Sequence, residues 1–133
     1  MSPPCVVVSI DARRREDGTY EVFTQAGTRA TGRDPADVAK IAEEHGAGEI
    51  LVTSIERDGT LAGYDIALIQ RITGAVSIPV IASGGAGTYA DMERALGEGG
   101  ASAVAASAMY QFTQQTPLEA KYYLKKQGFP MRV

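Results

Sequence analysis

The sequence predicts an α/β fold of four successive βα units, half the number found in a (βα)8 barrel of the TIM type. Four short apolar runs are each followed by a segment that is compatible with a helix. The runs are rich in β-branched or small residues and are nearly continuous, which is typical of parallel strands. They cover residues 6–10, 49–54, 78–82 and 101–106. We therefore predict one half-barrel domain over residues 1–133.

Apolar residues at helical spacing mark the segments that follow the strands. The predicted helices cover residues 35–45, 64–73, 88–96 and 117–127. Asp34 and Thr116 precede the first and last of these helices, where their side-chain oxygens suit the N-cap position. Residues 19–31 alternate polar and apolar side chains, which predicts a small hairpin that is an excursion from the core sheet.

A half-barrel of this kind leaves part of its sheet uncovered. Its concave apolar face and both edge strands have no partner within the chain. Two copies together supply eight strands, so we predict a homodimer, or a higher even oligomer, that completes the barrel. The alternative is a flatter, flavodoxin-like sheet with helices on both faces.

Composition is that of an ordinary globular protein. Hydrophobic residues make up 44% and charged residues 22%, which argues against disorder. The net charge of -3 offers no basic field to a nucleic acid or an anionic membrane surface. No apolar run approaches the ~20 residues needed to cross a bilayer, and no signal-peptide pattern opens the chain, so a cytoplasmic location is predicted.

The single cysteine and the single histidine narrow the chemistry further. Cys5 has no partner for a disulfide within the chain, and we predict that it is a buried small side chain rather than a nucleophile. His45 alone does not make a histidine-based triad or a metal cluster. We predict neither a metal nor a cofactor.

Candidate catalytic groups are expected where the strands end, because loops at the carboxyl ends of parallel strands carry function in such folds. Asp11 directly follows the first apolar run, where a carboxylate suits proton transfer. A turn or helix-cap aspartate is the alternative, and residue types alone do not separate the two.

The second strand ends in Thr53 and Ser54 and continues into a polar loop over residues 55–64. Acids, hydroxyls and glycines in this loop suit a segment that closes over a substrate. The alternative is a solvated turn centred on Asp58 and Gly59, which composition slightly favours.

Small residues follow the third and fourth strands. Glycines at such a position let backbone N–H groups approach an anion just before a helix begins. Two neighbouring loops of this type form the recurring phosphate site of barrel enzymes. The predicted phosphate-binding residues are Ser83, Gly84, Gly85, Ala106 and Ser107.

At these positions the sequence resembles the cyclase subunit of imidazole glycerol phosphate synthase. The similar motifs cover residues 6–12, 46–54, 57–60, 63–65, 78–87 and 105–107. The sister isomerase of histidine biosynthesis shares residues 57–60 and 83–85, whereas residues 46–49 and 86–87 resemble the cyclase. The likeness runs along essentially the whole chain, but only to the C-terminal half of the family's eight-stranded barrel.

The resemblance implies a lyase/cyclase reaction. Its substrate is a phosphoribulosyl-formimino derivative of aminoimidazole carboxamide ribonucleotide, which reacts with ammonia from a glutaminase subunit to give imidazole glycerol phosphate. The family uses two catalytic aspartates, and Asp11 matches the one on the fifth strand. No residue of this sequence matches the other aspartate.

The remaining site residues follow from the same resemblance. Asp58 matches a supporting aspartate of the catalytic loop. Thr53 matches a substrate-contacting threonine, and Ser54, Gly59 and Thr60 are predicted to bind substrate beside it. Glu49 matches one member of the charged gate through which ammonia enters the barrel.

Several forms of activity stay open at this point. A two-fold homodimer would bring Asp11 of each copy to opposite sides of the barrel axis. The family's site is asymmetric, however, and a misplacement of about 1 Å costs roughly 100-fold in rate. The alternatives are a silent truncated or engineered half-barrel that binds phosphate and self-associates, pairing with a separate chain that carries the other half, and the sister isomerase chemistry.

Overall fold

Parallel strands and helices alternate along the chain. The computed structural model describes residues 6–106 and 116–129. Its strands are β1 Val7–Arg14, β2 Tyr20–Thr24, β3 Arg29–Ala30, β4 Glu49–Ser54, β5 Val80–Ser83 and β6 Ala103–Val104. Its helices are α1 Pro35–Glu44, α2 Ile66–Thr73, α3 Tyr89–Gly97 and α4 Pro117–Lys126. Strands β1, β4, β5 and β6 are neighbours in that order and pair in parallel, as four βα units require.

The hairpin is more closely joined to the sheet than we predicted. Strand β2 pairs antiparallel with β1, and β3 pairs with β2, so the sheet order is β3-β2-β1-β4-β5-β6. Strand β1 continues to Arg14 because Arg13 and Arg14, beyond its parallel pairing with β4, pair with β2. Tyr20 and Val22 of β2 are buried in the core. The expectation of an excursion from the sheet is therefore corrected.

Within the described residues, one face of the sheet is packed into the core and the other is not. Along β4, Ile50, Val52 and Ser54 are buried, whereas the residues between them are partly exposed. The buried strand residues pack with the buried residues of all four helices. A flavodoxin-like sheet would bury both faces, so this alternation supports the half-barrel fold class.

The opposite side of the sheet is here named the open face. Its exposed members include Val7, which is 48% exposed at the amino end of β1. The open-face residues of β1, β4 and β5 are Val7, Ser9, Asp11, Glu49, Leu51, Thr53, Ile81 and Ser83. In a (βα)8 barrel this side of the strands faces the barrel axis and is filled by side chains from all eight strands.

Polar caps fix where the helices begin. Asp34 accepts a hydrogen bond from the Ala36 N–H, and Thr116 accepts one from the Glu119 N–H, which confirms both predicted N-caps. Helix α2 begins at Ile66 rather than at residue 64, because Asp65 is its N-cap. No helix among residues 6–106 and 116–129 is long and apolar enough to cross a membrane.

Asp34 also joins α1 to α2. Its carboxylate accepts hydrogen bonds from the Arg71 guanidinium, which lower the pKa of Asp34 below its ordinary value. Because the folded pKa is the lower one, this stabilisation is present at pH values above the unfolded pKa of about 4 and fades as the pH falls through the folded pKa.

We expect Asp34→Ala to lower the free energy of unfolding by about 0.5–2 kcal/mol at neutral pH, because the cap is lost. The loss should shrink toward pH 3, below the unfolded pKa of about 4, because the unfolded carboxylate is then largely protonated and folding must remove that proton. Urea unfolding at both pH values measures it. Asp37→Ala, at an exposed first-turn position of the same helix, is the matched control. An equal loss in both variants would contradict the role of Asp34.

Candidate functional site

Three polar side chains form a row across the open face at the carboxyl end of the sheet. Asp11 of β1 pairs with Thr53 of β4, and Thr53 pairs with Ser83 of β5. Neighbouring strands lie about 4.8 Å apart, so the row spans roughly 10 Å. Because residues paired across a sheet point to the same face, a carboxylate and two hydroxyls lie side by side on the open face.

A cavity of about 440 Å³ opens over this row. Its lining residues are Asp11, Ala26, Gly27, Thr53, Ile55, Asp58 and Ser83. The two predicted carboxylates, Asp11 and Asp58, therefore border one cavity. The hairpin between β2 and β3 closes part of it, since its tip contributes Ala26 and Gly27.

A second cavity, of about 160 Å³, adjoins the first. Its lining residues are Asp58, Gly59, Ser83, Gly84, Gly85, Ala86, Ala105 and Ala106. Asp58 and Ser83 border both cavities. Five predicted residues of the phosphate and loop sites, Gly59, Ser83, Gly84, Gly85 and Ala106, thus meet here. Ser107 lies outside the described residues, and so does Cys5.

The glycine loop after β5 is pressed against the loop after β4. A Cβ atom on Gly85 would lie 2.1 Å from the Gly63 carbonyl oxygen, and Gly85 has a φ of 113°. The Gly63 N–H donates to the Gly85 carbonyl at 2.6 Å. Position 85 therefore requires glycine, because the two loop backbones lie too close together for a side chain.

Backbone N–H groups of the glycine loop have no acceptor among the described residues. Gly85 and Ala86 are buried, and their N–H groups donate to no atom in the described part of the chain. The next N–H groups, of Gly87 and Thr88, donate to the Asp91 carboxylate of the α3 capping box. Buried N–H groups without partners are rare in proteins. The smaller cavity thus offers hydrogen-bond donors suited to an anion.

The loop of residues 55–64 is braced rather than left as a solvated turn. The Arg57 guanidinium donates to the carbonyls of Gly63 and Tyr64, at 3.2 and 3.0 Å. The Tyr64 hydroxyl donates to the Ala105 carbonyl at 2.9 Å, which connects this loop to the strand end that borders the smaller cavity. Arg57 therefore holds the loop that carries Asp58.

Two predicted substrate-binding residues do not reach either cavity. Ser54 is 2% exposed and faces the helices, because side chains alternate along β4 and Thr53 takes the open face. The Ser54 Oγ finds no hydrogen-bond partner among the described residues. The Thr60 hydroxyl is exposed and donates to the Arg57 carbonyl at 2.7 Å. Neither side chain borders the two cavities, and the substrate contacts of these two residues stay a prediction.

Glu49 lies at the other end of the sheet. It begins β4 and pairs with Val7 of β1, on the open face. It is far along the strand from Thr53, so it does not belong to the cluster around Asp11. In a closed barrel this position borders the axis at the amino end of the strands.

The sequence analysis did not anticipate the buried pair of Tyr20 and Asp65. The Tyr20 hydroxyl donates to both carboxylate oxygens of Asp65 at 2.9 Å. Burial and this hydrogen bond raise the pKa of Tyr20 to about 12. The two residues are 45 positions apart, and no local spacing pairs them. The apolar alternation of the hairpin was the only available signal for a buried Tyr20.

The site suits acid–base work and anion binding. Two carboxylates border the larger cavity, and N–H donors without an acceptor among the described residues border the smaller one. The Arg13 guanidinium lies 5.3 Å over the ring of Phe23, the residue of β2 that pairs with Asp11. No group of three or more metal-ligating side chains occurs within residues 6–106 and 116–129.

Comparison with known proteins finds a family and a relative of similar sequence. The pattern of the family described as "Histidine biosynthesis protein" matches residues 1–115. The imidazole glycerol phosphate synthase subunit HisF of Hyphomonas neptunium (strain ATCC 15444) is 51% identical over 128 residues, which cover 96% of this chain and 50% of that protein. The chain thus spans about half the length of this curated relative. With four parallel βα units and this match, the chain belongs to the histidine biosynthesis protein family of TIM barrels, as a HisF homologue that forms a half-barrel.

Proposed function

We propose that the chain carries acid–base and phosphate-binding residues of an imidazole glycerol phosphate synthase cyclase, and that two copies complete its barrel. The supporting observation is the row of Asp11, Thr53 and Ser83, which leads from the larger cavity into the glycine loop. Asp58 stands between the two cavities. One substrate therefore reaches both a carboxylate and an anion site.

In this proposal Asp11 transfers protons in the ring-closure and cleavage steps. A general acid–base group must lie within hydrogen-bond reach of the proton that it moves. Asp11 borders a cavity large enough for a small-molecule substrate, in a row with the Thr53 hydroxyl. Asp58 supports it from the loop that Arg57 braces. The substrate is the phosphoribulosyl-formimino aminoimidazole carboxamide ribonucleotide, and ammonia is the second reactant.

One phosphate of this substrate binds in the smaller cavity. The N–H groups of Gly85 and Ala86 are its donors, because those of Gly87 and Thr88 are taken by Asp91. Ser83 borders the same space and adds a hydroxyl. The second phosphate binds at the equivalent cavity of the second copy, on the far side of the barrel.

The open face supports the proposal of a second copy. Asp11 and Thr53 lie on a sheet face that no helix of the described residues covers. A two-fold axis through the completed barrel would set two Asp11 side chains on opposite sides of the axis. Glu49 of each copy would then border the axis at the amino end, where ammonia from a glutaminase subunit enters.

A turnover assay tests the proposed function. The chain, supplied with the phosphoribulosyl substrate and an ammonium salt, is expected to form imidazole glycerol phosphate at a rate per chain that rises as the chain associates. Isomerised substrate without imidazole formation would contradict the proposal in favour of the sister isomerase. Phosphate-dependent stabilisation without turnover would contradict it in favour of a silent half-barrel.

A further inference from the structure

We propose that Tyr20 is a positioning residue, which fixes the β2–β3 hairpin through Asp65 so that the hairpin tip forms a wall of the larger cavity. This inference rests on the proposed function, in which the larger cavity holds the substrate. Neither Tyr20 nor Asp65 borders either of the two cavities at the carboxyl end of the sheet. Their effect on the substrate therefore passes through the hairpin.

The anchor of the hairpin is well defined. Tyr20 and Asp65 are each 6% exposed, and the hydroxyl donates to both carboxylate oxygens at 2.9 Å. The same carboxylate accepts the Leu68 N–H at 3.0 Å as the N-cap of α2. The position of the acceptor is thus set by a helix of the scaffold, and Tyr20 joins the hairpin to that helix.

A short path leads from the anchor to the cavity. Strand β2 runs from Tyr20, which pairs with Arg14, toward Phe23, which pairs with Asp11. The chain then turns within three residues of positive φ, at Gln25, Ala26 and Gly27. Ala26 and Gly27 border the larger cavity.

The hairpin tip also meets the loop after β4. A Cβ atom at Gly27 would lie 3.7 Å from the side chain of Ile55, which is ordinary contact distance. Gly27 and Ile55 border the larger cavity from different loops. A displacement of β2 therefore moves one wall of the cavity, while Asp11 stays fixed by its pairing with β4.

The test removes the hydroxyl and keeps the ring. Tyr20→Phe leaves the packing of β2 in place but takes two hydrogen bonds from a buried carboxylate. We expect amide hydrogen exchange at residues 26–28 to become about tenfold faster, and KM for the substrate to rise about tenfold with kcat within about twofold. Phosphate-dependent stabilisation should be unchanged, because the smaller cavity does not include the hairpin.

Two further variants separate positioning from general destabilisation. Tyr123→Phe also removes a tyrosine-to-carboxylate hydrogen bond of 2.9 Å, to Glu93, on the far side of the fold. It should leave exchange at residues 26–28 and KM unchanged. Asp65→Asn keeps an oxygen that accepts from Tyr20, so its effect should be smaller than that of Tyr20→Phe.

The outcomes distinguish this inference from the proposed function. Unchanged exchange at residues 26–28 in Tyr20→Phe, or an equal increase at every amide of the chain, would overturn the positioning role. Absence of turnover and substrate binding in the unmodified chain would overturn the proposed function instead. Amide hydrogen exchange at residues 26–28 tests the anchor whether or not the chain turns over substrate.

Discussion

Replacement of Asp11 by asparagine is expected to lower kcat by about 10²–10⁴-fold, the usual contribution of a general acid–base group. Asparagine keeps the shape of the side chain but does not exchange a proton near neutral pH. Asp11 lies on the open face, partly exposed, so its replacement should leave the fold intact. Steady-state kinetics with an ammonium salt measure the loss, and thermal unfolding checks that the fold is retained.

Asp37→Asn is the matched control for this experiment. This substitution makes the same chemical change at an exposed position of α1, away from both cavities. We expect parent-like kcat from this variant. Turnover that survives in Asp11→Asn at the level of Asp37→Asn would show that Asp11 does not transfer the proton, and the assignment of its role would have to be abandoned.

Among the proposed variants, Gly85→Ala is expected to lower the free energy of unfolding the most. A Cβ atom there would lie 2.1 Å from the Gly63 carbonyl oxygen, so one of two packed loops must move. The left-handed backbone, with φ of 113°, adds strain of about 1–2 kcal/mol for a non-glycine residue. We expect the free energy of unfolding to fall by about 3 kcal/mol or more, since a clash and backbone strain add. Phosphate-dependent stabilisation should be lost as well.

Gly46→Ala isolates the contribution of backbone strain. Gly46 has a φ of 95°, and a Cβ atom built there meets no atom within 4 Å. Its replacement should cost about 1–2 kcal/mol, from the left-handed conformation alone. Urea unfolding of both variants, with and without inorganic phosphate, gives the comparison. Equal losses in the two variants would mean that the packing of the loops around Gly85 contributes nothing.

Local signals predicted the four parallel strands and the starts of α1 and α4. Continuous apolar runs identified β4 without error, and oxygen-bearing side chains identified the N-caps Asp34 and Thr116. The length of β1 was not predictable in this way. Its last residues are held by β2 rather than by β4, and pairing between segments is not a property of either segment alone.

The site was partly predictable for a similar reason. Strand-end positions correctly brought Asp11, Thr53 and Ser83 together, since parallel strands end at one edge. The direction of Ser54 depends on the alternation along β4, where Ser54 follows the buried face and Thr53 the open one. In the sequence, Thr53 and Ser54 are adjacent residues at one strand end, and this position alone does not show that their side chains point to opposite faces. The wall formed by Ala26 and Gly27 requires the tertiary pairing of the hairpin.

The open face predicts how its variants associate. Ile81 lies on this face at the centre of β5, so Ile81→Lys would bury a charge in the completed barrel. Ile41 is 45% exposed on α1. Ile41→Lys makes the same substitution at a position that faces solvent both in the single chain and in a completed barrel. We expect the first variant to dissociate and the second to associate like the parent.

Sedimentation equilibrium of the unmodified chain and of these two variants measures the mass of the assembly. It therefore tests whether a second copy places another Asp11 across the barrel axis. If the open face is the inner wall of a barrel made by two copies, the unmodified chain and Ile41→Lys have twice the 14.0 kDa mass of one chain, and Ile81→Lys has the single mass. A dissociation constant of about 1 μM corresponds to a binding free energy of roughly −8 kcal/mol. If the unmodified chain is well folded but has the mass of one chain at low micromolar concentration, a barrel completed by a second copy is contradicted.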